Sequence, residues 1–105
     1  MNIDSEVHAE IQRAIKKFPM WPTDPIQAAS VVAEEAGELV KSANESVYET
    51  WKASRDNLRT EAIHTAAMCH RFIMSLDAKQ YEFYHDKQHT QCLPCAAATG
   101  KEQAK

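Results

Sequence analysis

Glycine and proline are scarce in this chain, and their positions limit what it can fold into. Two glycines and four prolines in 105 residues are too few for the turns of a β-sandwich or for a glycine loop that cradles phosphate. Three of the prolines, Pro19, Pro22 and Pro25, crowd into one short segment. With 44% hydrophobic and 26% charged residues, the composition is that of an ordinary folded protein. The length is that of one domain, whose modest core would be supplemented by association between copies. A net charge of -3 gives no electrostatic footprint for a nucleic-acid polymer. The expectation is a single all-α domain.

The start, Met1-Asn2-Ile3-Asp4-Ser5-Glu6, is acidic where a signal peptide would be basic and then apolar. No apolar stretch approaches the roughly 20 residues that cross a bilayer, so no membrane association is expected. Three cysteines is an odd count, and Cys69 falls inside a helical pattern away from Cys92 and Cys95. That is no secreted disulfide framework. The expected location is the cytoplasm, with thiols reduced.

A first helix is expected to start at Asp4 or Ser5, either of which can cap free amides. It carries Val7, Ile11, Ala14, Ile15 and Phe18 at helical spacing. Pro19 and Pro22 end it and leave a linker holding Met20 and Trp21. The second start is the clearest: Asp24 as N-cap, Pro25 in the first helical position, and Gln27 placed to close a capping box. That helix runs to about Asn44 or Glu45, with Gly37 its only breaker. Ala28, Ala29, Val32, Ala33, Ala36, Leu39, Val40 and Ala43 share one arc, and Glu34, Glu35, Glu38 and Glu45 the adjacent one.

Residues 46–57 read as either a short helix or a loop. A third helix begins between Ser54 and Asn57 and runs to about Leu76. It has two apolar arcs, one of Leu58, Ala62, Cys69, Phe72, Ile73 and Leu76, the other of Ile63, Ala67 and Met74. A strip of Glu61, His64, Met68 and Arg71 lies between them and the polar side. A helix apolar over most of its circumference is central in a bundle or covered by another subunit. A short fourth helix is expected over Ala78–Lys87, so that the helical domain spans residues 1–88 and a flexible tail residues 89–105.

Chemistry concentrates in Glu34-Glu35-x-x-Glu38 and Glu61-x-x-His64. Residues three apart on a helix project from one face, so two such pairs on facing antiparallel helices surround a common point. Hard oxygen donors suit Mg²⁺ or Mn²⁺. The competing reading is a solvated acidic face, the usual fate of such runs. Against it, Glu61 and His64 lie on the helix that looks buried, and buried acids are rarely left unpaired.

These residues carry a resemblance. Trp21-Pro22-Thr23-Asp24-Pro25, followed by Val32-Ala33-Glu34-Glu35-Ala36-Gly37-Glu38-Leu39, resembles the MazG-like branch of the all-α nucleoside triphosphate pyrophosphohydrolases. Leu58-Arg59-x-Glu61-Ala62-Ile63-x-Thr65-Ala66-Ala67-Met68 and Arg71-Phe72 resemble the second motif of its short bacterial and phage members. The similarity covers roughly residues 5–77. It implies an antiparallel helical bundle completed as a homodimer or homotetramer, which would explain two apolar arcs on one helix. It also implies hydrolysis of a nucleoside triphosphate, often a deoxynucleotide, to the monophosphate and pyrophosphate with Mg²⁺ or Mn²⁺. By position, Glu35, Glu38 and Glu61 correspond to metal ligands. Glu34 is a further ligand or holds the attacking water, which makes Glu34 and Glu38 the candidate catalytic residues.

The usual closing aspartate of the family is His64 here. An imidazole can still ligate, and it shifts preference towards Mn²⁺ and other transition ions. Alternatively it contacts phosphate or water, or is a satisfied buried histidine.

Among substrate-binding candidates, Trp21 can stack on a base or pack over the end of helix two. Lys41, Lys52 and Arg55 are cations able to meet a triphosphate or simply to stand at the surface, and Arg71 can pair with a glutamate or reach a phosphate. His8, Gln12 and Arg13 can line a base pocket. His85-x₃-His89-x₂-Cys92-x₂-Cys95 offers a zinc-type donor set, although its spacing matches no common finger. A metal-dependent enzyme is the favoured class, and a non-catalytic helical interaction module that has lost the activity is the alternative.

Overall fold

A computed structural model describes residues 2–49 and 52–84. Three helices, α1 (Ile3–Lys17), α2 (Pro25–Tyr48) and α3 (Lys52–Asp77), make up the fold. Among the described residues there is no strand, and no helix is long and apolar enough to cross a membrane.

The N-cap of α1 is Asn2, not Asp4 or Ser5: its Oδ1 accepts the Ser5 amide at 2.7 Å. Asp4 and Glu6 instead fall in the first turn, and Lys16 and Lys17 in the last, where each sign complements the helix dipole. In α2, Asp24 caps and Pro25 opens as expected, but Asp24 Oδ1 takes the Ile26 amide at 2.9 Å. α2 continues past Glu45 to Tyr48, and α3 starts at Lys52, so most of the 46–57 segment is helical.

α3 is central. It packs on both α1 and α2, which touch each other far less. Contacts between Glu6 and Arg59, Arg13 and His64, and Phe18 and Arg71 advance together, so α1 runs parallel to α3. Ala29 and Val32 line a groove with Cys69, Phe72 and Ile73, while Glu35 meets Glu61 and His64, so α2 runs antiparallel to α3. The core is Val7 and Ile11 of α1 with Ala67 and Met68 of α3, and Val31, Val32, Ile63 and Trp21 pack against it.

The buried stripe of α3 is Ala67, Met68, Arg71 and Ser75. The strip expected at the polar border is therefore the inward one. Much of the two expected apolar arcs, Cys69, Ile73 and Leu76 of one and Met74 of the other, is exposed.

The helix expected over Ala78–Lys87 does not form over residues 78–83; Tyr84, the last of its described residues, is helical. Lys79 takes a left-handed conformation, φ 57°. The Gln80 amide reaches back to Ser75 O at 2.9 Å and the Lys79 amide to Leu76 O at 3.1 Å, the paired bonds of a Schellman stop. The chain then turns back over the 18–23 segment, where the Glu82 amide donates to Thr23 O at 2.8 Å. Tyr81 is buried there, its ring 5.0 Å from that of Phe72. Residues 85–105, with the His85, His89, Cys92 and Cys95 set and the domain boundary at residue 88, lie outside the described residues, as does Trp51.

Candidate metal centre and cavity

Each helix brings something to one end of the three-helix junction. On α2, the turn after Val31 and Val32 projects Glu35, which is partly buried because its neighbours on that face pack against the core. On α3, His64 and Glu61 stand one and two turns before Ala67 and Met68 and share their inward direction. Glu35, Glu61 and His64 each offer a donor atom, and the three atoms lie within 4.8 Å of one another. Two carboxylates and an imidazole at that separation fit a divalent cation of the Mg²⁺ or Mn²⁺ type, the imidazole favouring Mn²⁺.

The electrostatics fit the same description. Burial, above all, raises the Glu35 carboxyl above the usual glutamate range; His64 pulls it back, and the charges of Glu61, Glu38 and Glu34 push it further up. Like charges gathered this way are a conflict that a bound cation relieves.

His64 is held from both sides. Glu61 Oε2 lies 3.7 Å from Nδ1, and on the other side Glu10 Oε2 lies 3.5 Å from Nε2. Arg13 grips Glu10 through two hydrogen bonds, 2.9 and 2.7 Å, with Nη2 3.3 Å from His64 Nε2. Glu10 was missed in the sequence. Its signal is modest: Glu10, Arg13 and Lys17 follow one another at helical spacing beside Ala14, a polar edge to the apolar face of α1.

A cavity of about 450 Å³ opens beside the cluster, lined by residues that include Glu10, Arg13, Lys17, Trp21, Glu35, His64 and Arg71. Trp21 and Arg71, both expected at a substrate site, meet there: the guanidinium lies over the indole, 4.6 Å from the ring centroid. Arg71 also donates to Phe18 O at 3.1 Å. It is buried, and burial lowers its pKa. Trp21 Nε1 donates to the Tyr81 hydroxyl at 2.8 Å.

Other expected residues stand elsewhere. Glu34 and Glu38 are exposed on α2 and outside the three-donor group. Lys41 and Arg55 are exposed and do not line the cavity. His8 and Gln12 are exposed on α1 and also lie off the cavity wall, whereas Arg13 is on it. No protein family, curated protein or solved structure matches the chain.

Proposed function

We propose that the chain is a metal-dependent nucleoside triphosphate pyrophosphohydrolase of the MazG-like type, acting in the cytoplasm as a homodimer or homotetramer. The observation that carries this reading is the convergence of Glu35, Glu61 and His64 within 4.8 Å at a cavity walled by Trp21, Arg13, Lys17 and Arg71. Acids for a cation, cations for phosphates and an aromatic ring for a base occur together, which a solvated acidic face would not require.

A Mg²⁺ or Mn²⁺ ion there would neutralise phosphate charge and activate the attacking water. Glu35, Glu61 and His64 would hold the ion. Glu38, one turn beyond Glu35, would be the further ligand, and Glu34 or Glu38 would accept the water's proton. Water adds at phosphorus, the bond joining the α- and β-phosphates breaks, and monophosphate and pyrophosphate leave. Lys17 and Arg13 meet the phosphate charge from α1, while Lys41 and Arg55, exposed and off the cavity wall, would meet it from a second subunit. The exposed apolar groove of Ala29, Val32, Cys69, Phe72 and Ile73 supports association, as do Val40, Val47 and Met74, each at least half exposed.

The test is pyrophosphate release from ribo- and deoxyribonucleoside triphosphates, each with Mg²⁺ and with Mn²⁺, beside Glu61→Gln and Glu38→Gln. Turnover lost in both variants supports the reading. If the parent protein is inert with both metals and its melting temperature ignores them, the non-catalytic interaction module stands instead.

A further inference from the structure

Among the described residues, Arg71 is a buried cation without a carboxylate partner. It is 93% buried by its 7% residual exposure, and among the described residues no carboxylate pairs with it. One of its five N–H donors is used, on Phe18 O; the guanidinium plane is fixed by the face of Trp21. Burying an unpaired cation is unfavourable unless something supplies electron density to it. The Phe18 carbonyl and the indole face supply part. None of its N–H atoms is both sealed off and unpartnered, and Arg71 lines the cavity, so its remaining donors are left for whatever enters.

The cavity is chemically lopsided. Its acceptors, Glu10, Glu35 and His64, gather at the cluster end. Around Arg71 the wall is Phe18, Met20, Trp21, Pro22 and Met68 with the ammonium of Lys17, and no carboxylate. Trp21 Nε1 is committed to Tyr81 and is not left to read a ligand. His64 and Arg71 are seven residues apart on one helix, roughly 10 Å at 1.5 Å per residue. That is the kind of separation that lies between the phosphate chain and the far edge of the base in an extended nucleotide.

We propose that Arg71 is a specificity-determining residue that reads the nucleobase edge and selects keto bases over amino bases. The inference rests on the nucleotide reading above. A guanidinium fork donates to O6 and N7 of a 6-oxopurine, or to O4 of a uracil or thymine. Adenine and cytosine present an amino group at the same edge, donor against donor, and a buried donor left unmatched is strongly disfavoured.

The experiment is calorimetric titration of the Mg²⁺-loaded protein with the non-cleavable α,β-methylene analogues of ITP, ATP, UTP and CTP. ITP and ATP form the decisive pair, since they differ at the purine 6-position and N1. The expected result is ITP over ATP, and UTP over CTP, by roughly tenfold or more. Arg71→Lys keeps the charge and loses the fork, and should bring both ratios towards one while the Mn²⁺-dependent rise in melting temperature persists. A merely structural Arg71 would lower the melting temperature and leave the ratios alone, which overturns the proposal. So does equal binding of ITP and ATP by the parent protein, a result that leaves the pyrophosphohydrolase reading standing. Failure of all four to bind overturns both.

Discussion

Trp21 and Tyr81, sixty residues apart, are joined by a 2.8 Å hydrogen bond from the indole Nε1 to the phenol oxygen. The same hydroxyl donates onward to Phe72 O at 3.0 Å. The segment after α3 therefore fixes the orientation of the ring that walls the cavity. Tyr81→Phe should remove both bonds and leave a partly buried N–H unmatched, lowering stability by about 1–3 kcal/mol. Chemical denaturation measures this directly. Trp21 fluorescence should shift in the native state of the variant, because the indole Nε1 has lost its hydrogen-bond acceptor.

Two substitutions should stabilise the protein by matching residue to backbone. Lys79 sits at φ 57° in the Schellman turn, a conformation that costs a non-glycine residue roughly 1 kcal/mol. Lys79→Gly should recover part of this, offset by the greater freedom of glycine in the unfolded chain. Gly37 is the reverse case. It lies inside α2, and a Cβ built there meets nothing within 4 Å, so Gly37→Ala should add about 0.5–1 kcal/mol. A lower melting temperature for Gly37→Ala would show that this surface is packed in solution.

Glu35→Gln should act in opposite directions with and without metal. The Glu35 carboxyl is raised above its ordinary value by burial and neighbouring acids, so the native state holds this proton more tightly than the unfolded chain does. The stability linked to it is complete below the unfolded pKa and is lost as pH rises through the raised folded value. In a chelator at neutral pH, Glu35→Gln should therefore melt higher than the parent, with the gain disappearing near pH 4. With Mn²⁺ present, the parent should gain stability and the variant should not. Melting curves over pH, with EDTA and with Mn²⁺, decide the matter.

Glu6 and Arg59 provide a pH effect of the other sign, away from the cavity. The Arg59 guanidinium, donating to Glu6 at 2.7 Å, holds the Glu6 carboxyl below its ordinary value near 4.5. Stability from this pair is present above the unfolded pKa and falls away as pH drops through the lowered folded value. The melting difference between the parent and Arg59→Ala should be constant from pH 6 to 8 and shrink below about pH 4.5. Because the pair is solvent-exposed, added salt should reduce it too.

The parts of the fold that local chemistry determines were legible. Asp24 before Pro25 marks the start of α2 without any tertiary information, and the i, i+3 spacing of Glu61 and His64 brings them onto one face. What could not be read was which face the tertiary structure buries. Glu61, His64, Met68 and Arg71 look like a polar border when α3 is projected alone. They face inward because α1, parallel to α3, lays Glu10 and Arg13 beside His64 and the Phe18 carbonyl beside Arg71. Polar residues on one helix were satisfied by polar residues on another, and no periodicity within either sequence records that. The break over residues 78–83 has a local cause instead: aromatic spacing through Tyr81, Phe83 and Tyr84 suits a helix there, but the backbone turns at Lys79, a lysine that carries no glycine-like signal.

Ala67 has no exposed surface, and it lies one turn past His64 where residues of all three helices gather. How far Glu35 stands from Glu61 and His64 thus depends on a fully buried alanine at the junction as well as on the acids themselves. The size of ion the three donors can grip becomes a matter of spacing: a larger residue at Ala67 would widen the gap and favour a larger cation without altering a single ligand.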